Sequence, residues 1–524
     1  MSRRDRTILS LCGAAALAVL VPLSASAQDL TYAISAPITS TDPHYQNATP
    51  NNAALGNIFQ PLTILTGEGL IEPGLAEAWS NPDDLTWEFT LRDATFHDGA
   101  PLTAEDVIYS LQRPGNIQSP APFTTYTKAI TGMEAVDDKT VRLSTDAPYP
   151  LLPLDLSRVM IVQKAVAEAN DTQAMNLGNG VIGTGPFEFV SFTPDEQLSL
   201  TRNDDYWGDA PAWENVQVRV IADDAARTSA LLSGGVDAIE NVPTPDIERM
   251  RSEEGITFAS GKSQRFVFLF LDSGRDQPPG VTGKDGAPLA DNPLKDARVR
   301  KAVNLSINRQ AIADRVMMGL AYPSNNIVFD GGEGFVADLE NPPYDPDQAK
   351  ALLAEAGYPD GFRLAIASPN NRMINDEKVV QAVAQMLTRI GIETAVDAMP
   401  FSVIASRGQK GEFGVSMMSW GSTTEGSTPI RQMLACKDAD KGWGAVNWGN
   451  YCNETVDALL ADALSTVDTD ARRKILEEAV TTLMDDTAFV PLYFQGSTWA
   501  AKDGIAIAPR SDERTSPDVF APAS

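Results

Sequence analysis

The chain has 524 residues, 43% of them hydrophobic and 21% charged, with 70 acidic against 41 basic side chains and a formal charge of -29. Such an acidic surface repels phosphate backbones and anionic lipids, which argues against nucleic acid as a partner. Length and composition fit a globular protein of two or three domains around substantial cores.

The first predicted element is an export signal. Arg3, Arg4 and Arg6 precede an apolar run from about Ile8 to Leu23, followed by Ala25-Ser26-Ala27, a small-x-small site. The run is shorter than the ~20 residues a membrane-crossing helix needs, so 1–27 reads as a signal peptide cleaved after Ala27. The mature chain is then expected to be exported and soluble, with a charge near -31. Beyond this segment only two cysteines remain, Cys436 and Cys452. An even count in an oxidising compartment favours a disulfide over two free thiols. Such a bridge closes a loop of ~15 residues and contributes on the order of 3 kcal/mol. With His44 and His97 the only histidines, imidazole and thiolate ligands are scarce, and neither a metal nor a cofactor is expected.

In Leu85 to Arg92, the apolar Leu85, Trp87, Phe89 and Leu91 alternate with polar residues, predicting a half-buried strand. Asp98-Gly99 is a turn dipeptide, Pro101 stops the strand, and Thr103-Ala104-Glu105-Asp106 reads as a capped helix start. Each polar residue of 96–106 thus has a local structural role. A catalytic reading of His97-Asp98 requires a nucleophile or metal that only the fold can bring.

The same stretch carries a resemblance. Phe96-His97-Asp98-Gly99 with Pro101 to Val107 resembles the hallmark segment of the solute-binding proteins that serve ATP-binding-cassette importers of the dipeptide, oligopeptide and nickel type. Gly183-Thr184-Gly185-Pro186-Phe187 leading to Tyr206-Trp207, Asp296 to Ala302, and Tyr344-Asp345-Pro346 through Gly357-Tyr358-Pro359 are similar to further blocks of that family, in order along nearly the whole mature chain.

Later elements are predicted from their own patterns. Val216 to Ile221 reads as a strand, followed by a helix near 225–233, and Arg265 to Leu271 as a buried connecting strand. Asp345-Pro346 opens a helix stopped by Gly357, Asn375 caps one closed by Gly391, Asn453 opens a third, and a fourth carries Ile475, Leu476, Ala479, Val480 and Leu483. A second apolar run, Phe489 to Phe494, returns near the end. The resemblance implies an α/β fold of two lobes, the periplasmic-binding-protein type II arrangement, with hinge strands and an extra subdomain in the first lobe. The expected division is 28–265 for lobe I, 266–490 for lobe II, and 491–524 returning to lobe I.

It also implies function. A peptide or similarly sized polar solute is captured between the lobes and passed to an ABC permease of the inner membrane, by a periplasmic protein expected to be a monomer. Candidate ligand contacts are Tyr45 and Asn47 in an early loop, where His44 is either a contact or an exposed loop histidine. Arg372 suits a ligand carboxylate. Trp420, Gly421 and Thr423 lie in a strand-to-loop segment that lines the pocket in relatives. Peptide-binding members place an aspartate shortly after this tryptophan to hold the peptide's amino terminus. Here Ser422, Thr423 and Thr424 intervene before Glu425, so either Glu425 acts from a shifted position or the cargo lacks a free ammonium. Trp443, Tyr493 and Gln495 are further candidates, with core packing as the alternative. No catalytic residue is expected: the chain lacks a Gly-x-Ser-x-Gly elbow and a His-Glu-x-x-His helix. An exported hydrolase using paired carboxylates and a receptor-fold protein for chemosensing or chaperoning are the alternatives.

Overall fold

Alternate side chains of Phe266 to Leu271 enter two different cores. Phe266, Phe268 and Phe270 pack into one, and Val267, Leu269 and Leu271 into the other. A strand buried on both faces has no polar side to present, so it reads as a continuous apolar run. In a computed structural model describing residues 29–119, 122–421 and 424–523, this run is the second half of a 16-residue strand, Ile256–Leu271. The expected signal peptide lies outside the described residues.

Ile256–Leu271 pairs antiparallel with Val490–Lys502 at the centre of a 12-stranded sheet. On one side follow Ala238–Glu240, Asp29–Ile34, Asn215–Val220, Gln197–Arg202 and Phe187–Thr193; on the other, Val415–Trp420, Arg363–Pro369 and Val281–Thr282. The two long strands change register between Lys262 and Phe266. On one side of this break, the end of Val490–Lys502 pairs with Ala238–Glu240; on the other, Phe266 lies opposite Trp420. Two α/β lobes therefore share one sheet through two strands, with an irregularity where the partners change.

Each lobe contains a set of parallel strands. Asp29–Ile34 lies parallel to Asn215–Val220 and Ala238–Glu240, and Arg363–Pro369 parallel to Glu393–Met399 and Val415–Trp420. The crevice outside the carboxyl ends of parallel strands is where open α/β sheets bind ligands.

The predicted strand near 85–92 is Thr86–Leu91. It belongs to a separate antiparallel sheet with Ala76–Asp83, Thr140–Thr145 and Ile130–Asp137. Its inward residues Trp87, Phe89 and Leu91 build a core distinct from that of the large sheet. Thr103 caps the helix Ala104–Gln112 reciprocally: Asp106 N donates to its hydroxyl at 3.4 Å, and Thr103 N donates to the Asp106 carboxylate at 3.0 Å. His97 is a clamp between segments. Its Nε2 donates to Gly185 O (3.1 Å) and its Nδ1 accepts from Gly183 N (3.3 Å). This docks 183–185 so closely that a Cβ on Gly183 would lie 1.9 Å from the Ile58 carbonyl oxygen. Gly183→Ala is expected to cost about 1–3 kcal/mol through overpacking against backbone. Chemical unfolding measures this, with Gly115→Ala, where a Cβ meets nothing within 4 Å, as the mild control.

The helix starts differ in one case. Asp345 caps Pro346–Glu355 through Gln348 N, and Asn453 caps Glu454–Ser465 through Thr455 N and Val456 N. Asn375 was expected to cap Asp376–Arg389, yet it adopts a left-handed φ of 53° and makes no capping bond. Its amide instead donates to Val316 O (2.8 Å), while Asp376 accepts from Arg372 N (3.0 Å) and Met373 N (3.2 Å). Asparagine tolerates that φ, which frees its side chain for a longer-range bond. Cys436 and Cys452 form a disulfide. The lobes also touch away from the central strands: a Cβ on Gly69 would meet Thr424 Cγ2 at 1.9 Å, and Val467 packs on the core of the small sheet. Among the described residues no helix is long and apolar enough to cross a membrane.

Candidate functional site

A cavity of about 510 Å³ opens between the lobes. Its lobe I wall comes from strand ends, Ile34 and Ser35 at the end of Asp29–Ile34 and Glu240 and Asn241 at the end of Ala238–Glu240, together with Asp224 and Arg227 on the helix Asp224–Leu232 that precedes the second of these strands. The lobe II wall is Asn371 to Ile374, immediately after Arg363–Pro369. Arg265, Gln495 and Ser497, from the two central strands, form the junction. A second space of about 310 Å³ reaches Ser419, Trp420 and Gly421. Thr49, Arg265, Arg372 and Glu513 line both, so the two make one cleft.

Most charges facing this cleft are neutralised locally. Arg265 Nε donates to both Glu513 oxygens at 3.0 Å, and its Nη2 to Oε2 at 2.5 Å. Arg227 pairs with Asp224 at 2.7 Å and donates to the carbonyls of Ile221, Glu240 and Asn241. Asp512 accepts from Arg510 at 3.0 and 2.7 Å. Two groups are left over. Among the described residues Arg372 has no carboxylate partner; its guanidinium lies 4.5 Å from the Phe401 ring centre. Desolvation, and next the Arg265 charge, hold it below the ordinary arginine range, an environment that favours an arriving anion. Among the described residues Glu240 has no cationic partner in an ion pair. Its Oε1 accepts from Ser35 N and Oγ, both at 2.9 Å, and from Asn241 Nδ2 at 3.3 Å.

Of the residues singled out in the sequence, Arg372 lines both parts of the cleft, Gln495 the larger, and Trp420 and Gly421 the smaller. Gln495 is fixed there by Ile374 N donating to its carbonyl at 2.9 Å. Thr423 lies outside the described residues. The others are elsewhere. Asn47 bonds to Tyr126 and Asn52, and Tyr45 sits in the same loop. The helix after this loop, Thr49–Leu55, supplies Thr49, Pro50, Ala53 and Ala54 to the cavity instead. Tyr493 is fully buried with its hydroxyl on Met317 Sδ, and Trp443 packs in the aromatic core of lobe II.

Glu425 is consumed by an ion triad. Arg472 pairs with both Glu425 and Glu333, and Ser427 N, Thr428 N and Thr428 Oγ1 also donate to Glu425. Burial opposes ionisation at both carboxylates. At Glu425, Arg472 and the local donors outweigh it and lower the pKa; at Glu333 burial prevails and the pKa is raised. His44 is neither exposed nor at the cleft. It is fully buried, with Nε2 donating to Met160 O (2.7 Å) and Nδ1 facing Arg113 (3.3 Å), which itself grips Asp42.

Sequence reasoning passed over Arg265, Glu240, Glu513 and Tyr32. The available signal was a charged residue at the end of a short apolar strand, as in Ala238-Ile239-Glu240, since strand carboxyl ends face ligand crevices. The Arg265–Glu513 pair joins residues 248 apart and had no local signal.

Comparison with known proteins agrees with this architecture. The family described as bacterial extracellular solute-binding proteins, family 5 Middle, matches residues 71–441. The glutathione-binding protein GsiB of Salmonella paratyphi A is 27% identical over 481 residues, 89% of each chain. GsiB of Escherichia coli K12 is 27% identical over 498 residues, 92% of each. Among solved structures, HbpA2 from Haemophilus parasuis superposes with a TM-score of 0.80 at 22% identity, over 95% of this chain and 100% of that one. The unliganded open form of MppA, a periplasmic murein tripeptide binding protein, gives 0.79 at 24% identity, over 95% and 98%. With a two-lobed fold, a polar cleft at the strand ends of both lobes, and a family match over most of its length, the chain belongs to the family 5 bacterial extracellular solute-binding proteins, receptors of ABC importers.

Proposed function

We propose that this protein is a periplasmic receptor that captures a small peptide or peptide-like solute, holds its carboxylate on Arg372, and delivers it unchanged to an inner-membrane permease. The observation that carries this reading is the Arg372 guanidinium, which has no carboxylate partner among the described residues and stands just beyond a strand end in the inter-lobe cleft. A planar guanidinium offers two parallel donors to a carboxylate, and exclusion of water on closure strengthens the pair. GsiB, the relative named for glutathione, and MppA, named for a tripeptide, support a solute of this size. The lobe limits of 28–265, 266–490 and 491–524 are supported by the register change near Lys262 to Phe266; in the returning strand the matching exchange lies some residues beyond 490. The acidic charge supports the absence of nucleic acid among its partners. The mature chain acts as a monomer, and no cleft residue is assigned a catalytic role.

Mass spectrometry of solute retained through gentle purification, then a thermal-shift screen that includes glutathione and short peptides, tests the reading. Bound solute at a hundredfold its Kd is expected to add ~2.7 kcal/mol of stability. Arg372→Gln is expected to weaken it about tenfold to a hundredfold, the range for a hydrogen-bonded charge. Chemical conversion of the solute by the purified protein would refute a receptor.

A further inference from the structure

We infer that Glu240, with Tyr32 lining the same cavity, is the ammonium subsite of this receptor, so that the solute is a zwitterion whose amine faces lobe I and whose carboxylate faces Arg372 in lobe II. This rests on the receptor reading above and adds the polarity and class of the solute. The expected amine holder, Glu425, is buried and saturated by Arg472, Ser427 and Thr428, and lines neither part of the cleft. Among the carboxylates that do line the cleft, Asp224, Asp512 and Glu513 each have an arginine within 3 Å. Among the described residues Glu240 alone of these carboxylates faces it without an ion-paired cation, and its bonds from Ser35 and Asn241 all fall on Oε1. Those bonds orient the carboxylate and leave Oε2 available.

A second observation points to the same place. Tyr32 lines the cavity, is fully buried, and among the described residues its hydroxyl has no hydrogen-bond partner. A buried polar atom without a partner is unfavourable unless a bound group supplies one. Burial, and next the charge of Glu240, push the phenol's pKa up, so it stays a neutral donor and acceptor. Because Glu240 and Arg372 stand on opposite lobes, a solute that pairs with both gains contacts only as the lobes approach. That difference in affinity between open and closed states is what drives closure.

The test exposes the full mature protein to a random tripeptide library with free amino termini and to its N-acetylated counterpart, and identifies retained peptides by mass spectrometry. Wild type is expected to favour the free form by about tenfold or more. Glu240→Gln should retain the two forms within about threefold of each other, and Glu240→Asp, which keeps the charge, should restore the preference. Wild type retaining both libraries alike overturns the subsite and leaves the peptide receptor standing. Retention of neither, while another solute binds, overturns both. Glu240→Gln keeping the full preference assigns the amine elsewhere. The acetylation contrast in wild type needs no variant, so a folding defect in Glu240→Gln does not remove the test.

Discussion

Arg472→Met is expected to destabilise the protein by roughly 3–5 kcal/mol, the range for removing one partner of a buried ion pair. The methionine fills much of the arginine's volume, so the loss is electrostatic. Glu425 and Glu333 are left facing each other in a site where only 3% of the Arg472 side chain and 9% of the Glu425 side chain reach solvent. The local donors at Glu425 hold one carboxylate, but Glu333 loses its cation. The triad also ties three segments: Glu333 and Thr424 are joined by backbone, the Glu425 carboxylate caps the turn that follows it by accepting from Ser427 N, and Arg472 belongs to the helix Thr469–Asp485. Adding Glu333→Gln and Glu425→Gln to Arg472→Met should recover most of the stability, because no buried charge then lacks a partner. Urea unfolding midpoints decide it, and a loss below about 1 kcal/mol in the single variant would mean the triad is hydrated like a surface pair.

The second expected result concerns pH. His44 is pushed down from 6.5 to about 4 by burial and, next, by Arg113. A depressed folded pKa means that the unfolded chain takes up the proton first on acidification. Stability from this group is complete above pH 6.5 and is lost as pH falls toward 4. Asp155 runs the other way. Burial raises it from 3.8 to about 6 against the lowering effects of the Tyr149 hydroxyl, Arg431 and Arg158. Its folded form takes the proton first, so its contribution is present at low pH and lost as pH rises through 6. Between pH 6 and 4 the two slopes oppose each other and largely cancel.

Single variants separate them. His44→Gln keeps a donor for Met160 O and removes the titration, so relative to wild type it should gain about 2 kcal/mol between pH 7 and 4.5. Asp155→Asn should lose about 1–2 kcal/mol over the same interval, and should be the more stable of the two relative to wild type at pH 7. Taking differences from wild type removes the many surface carboxylates common to all three. Parallel stability curves for the variants and wild type would show that neither group shifts on folding.

Local order was written into the chain in readable form. The alternation of Trp87, Phe89 and Leu91, the Thr103 cap with Asp106 three residues on, and Asp345-Pro346 all appear as expected, with Leu85 alone exposed before the strand begins, because each depends on bonds within a turn or on a face that neighbouring residues define. The five or so ordered blocks carried the fold and receptor class for a related reason. Their glycines and turns meet backbone constraints few other residues satisfy, as Gly183 does against Ile58. Which polar residues face the solute was not readable in the same way. Glu425 and Glu240 are both acids next to strand ends, yet Arg472 arrives from 47 residues away to occupy the first, while among the described residues the second receives only neutral donors, from Ser35 and Asn241. Arg265 likewise meets Glu513 across 248 residues. By itself, then, the sequence determined strands, turns, the caps at Thr103, Asp345 and Asn453, and the family. Only the tertiary structure decided which charges are spent on each other and which are left for a ligand, because charge pairing depends on distance in space, and the partners are brought by elements remote along the chain.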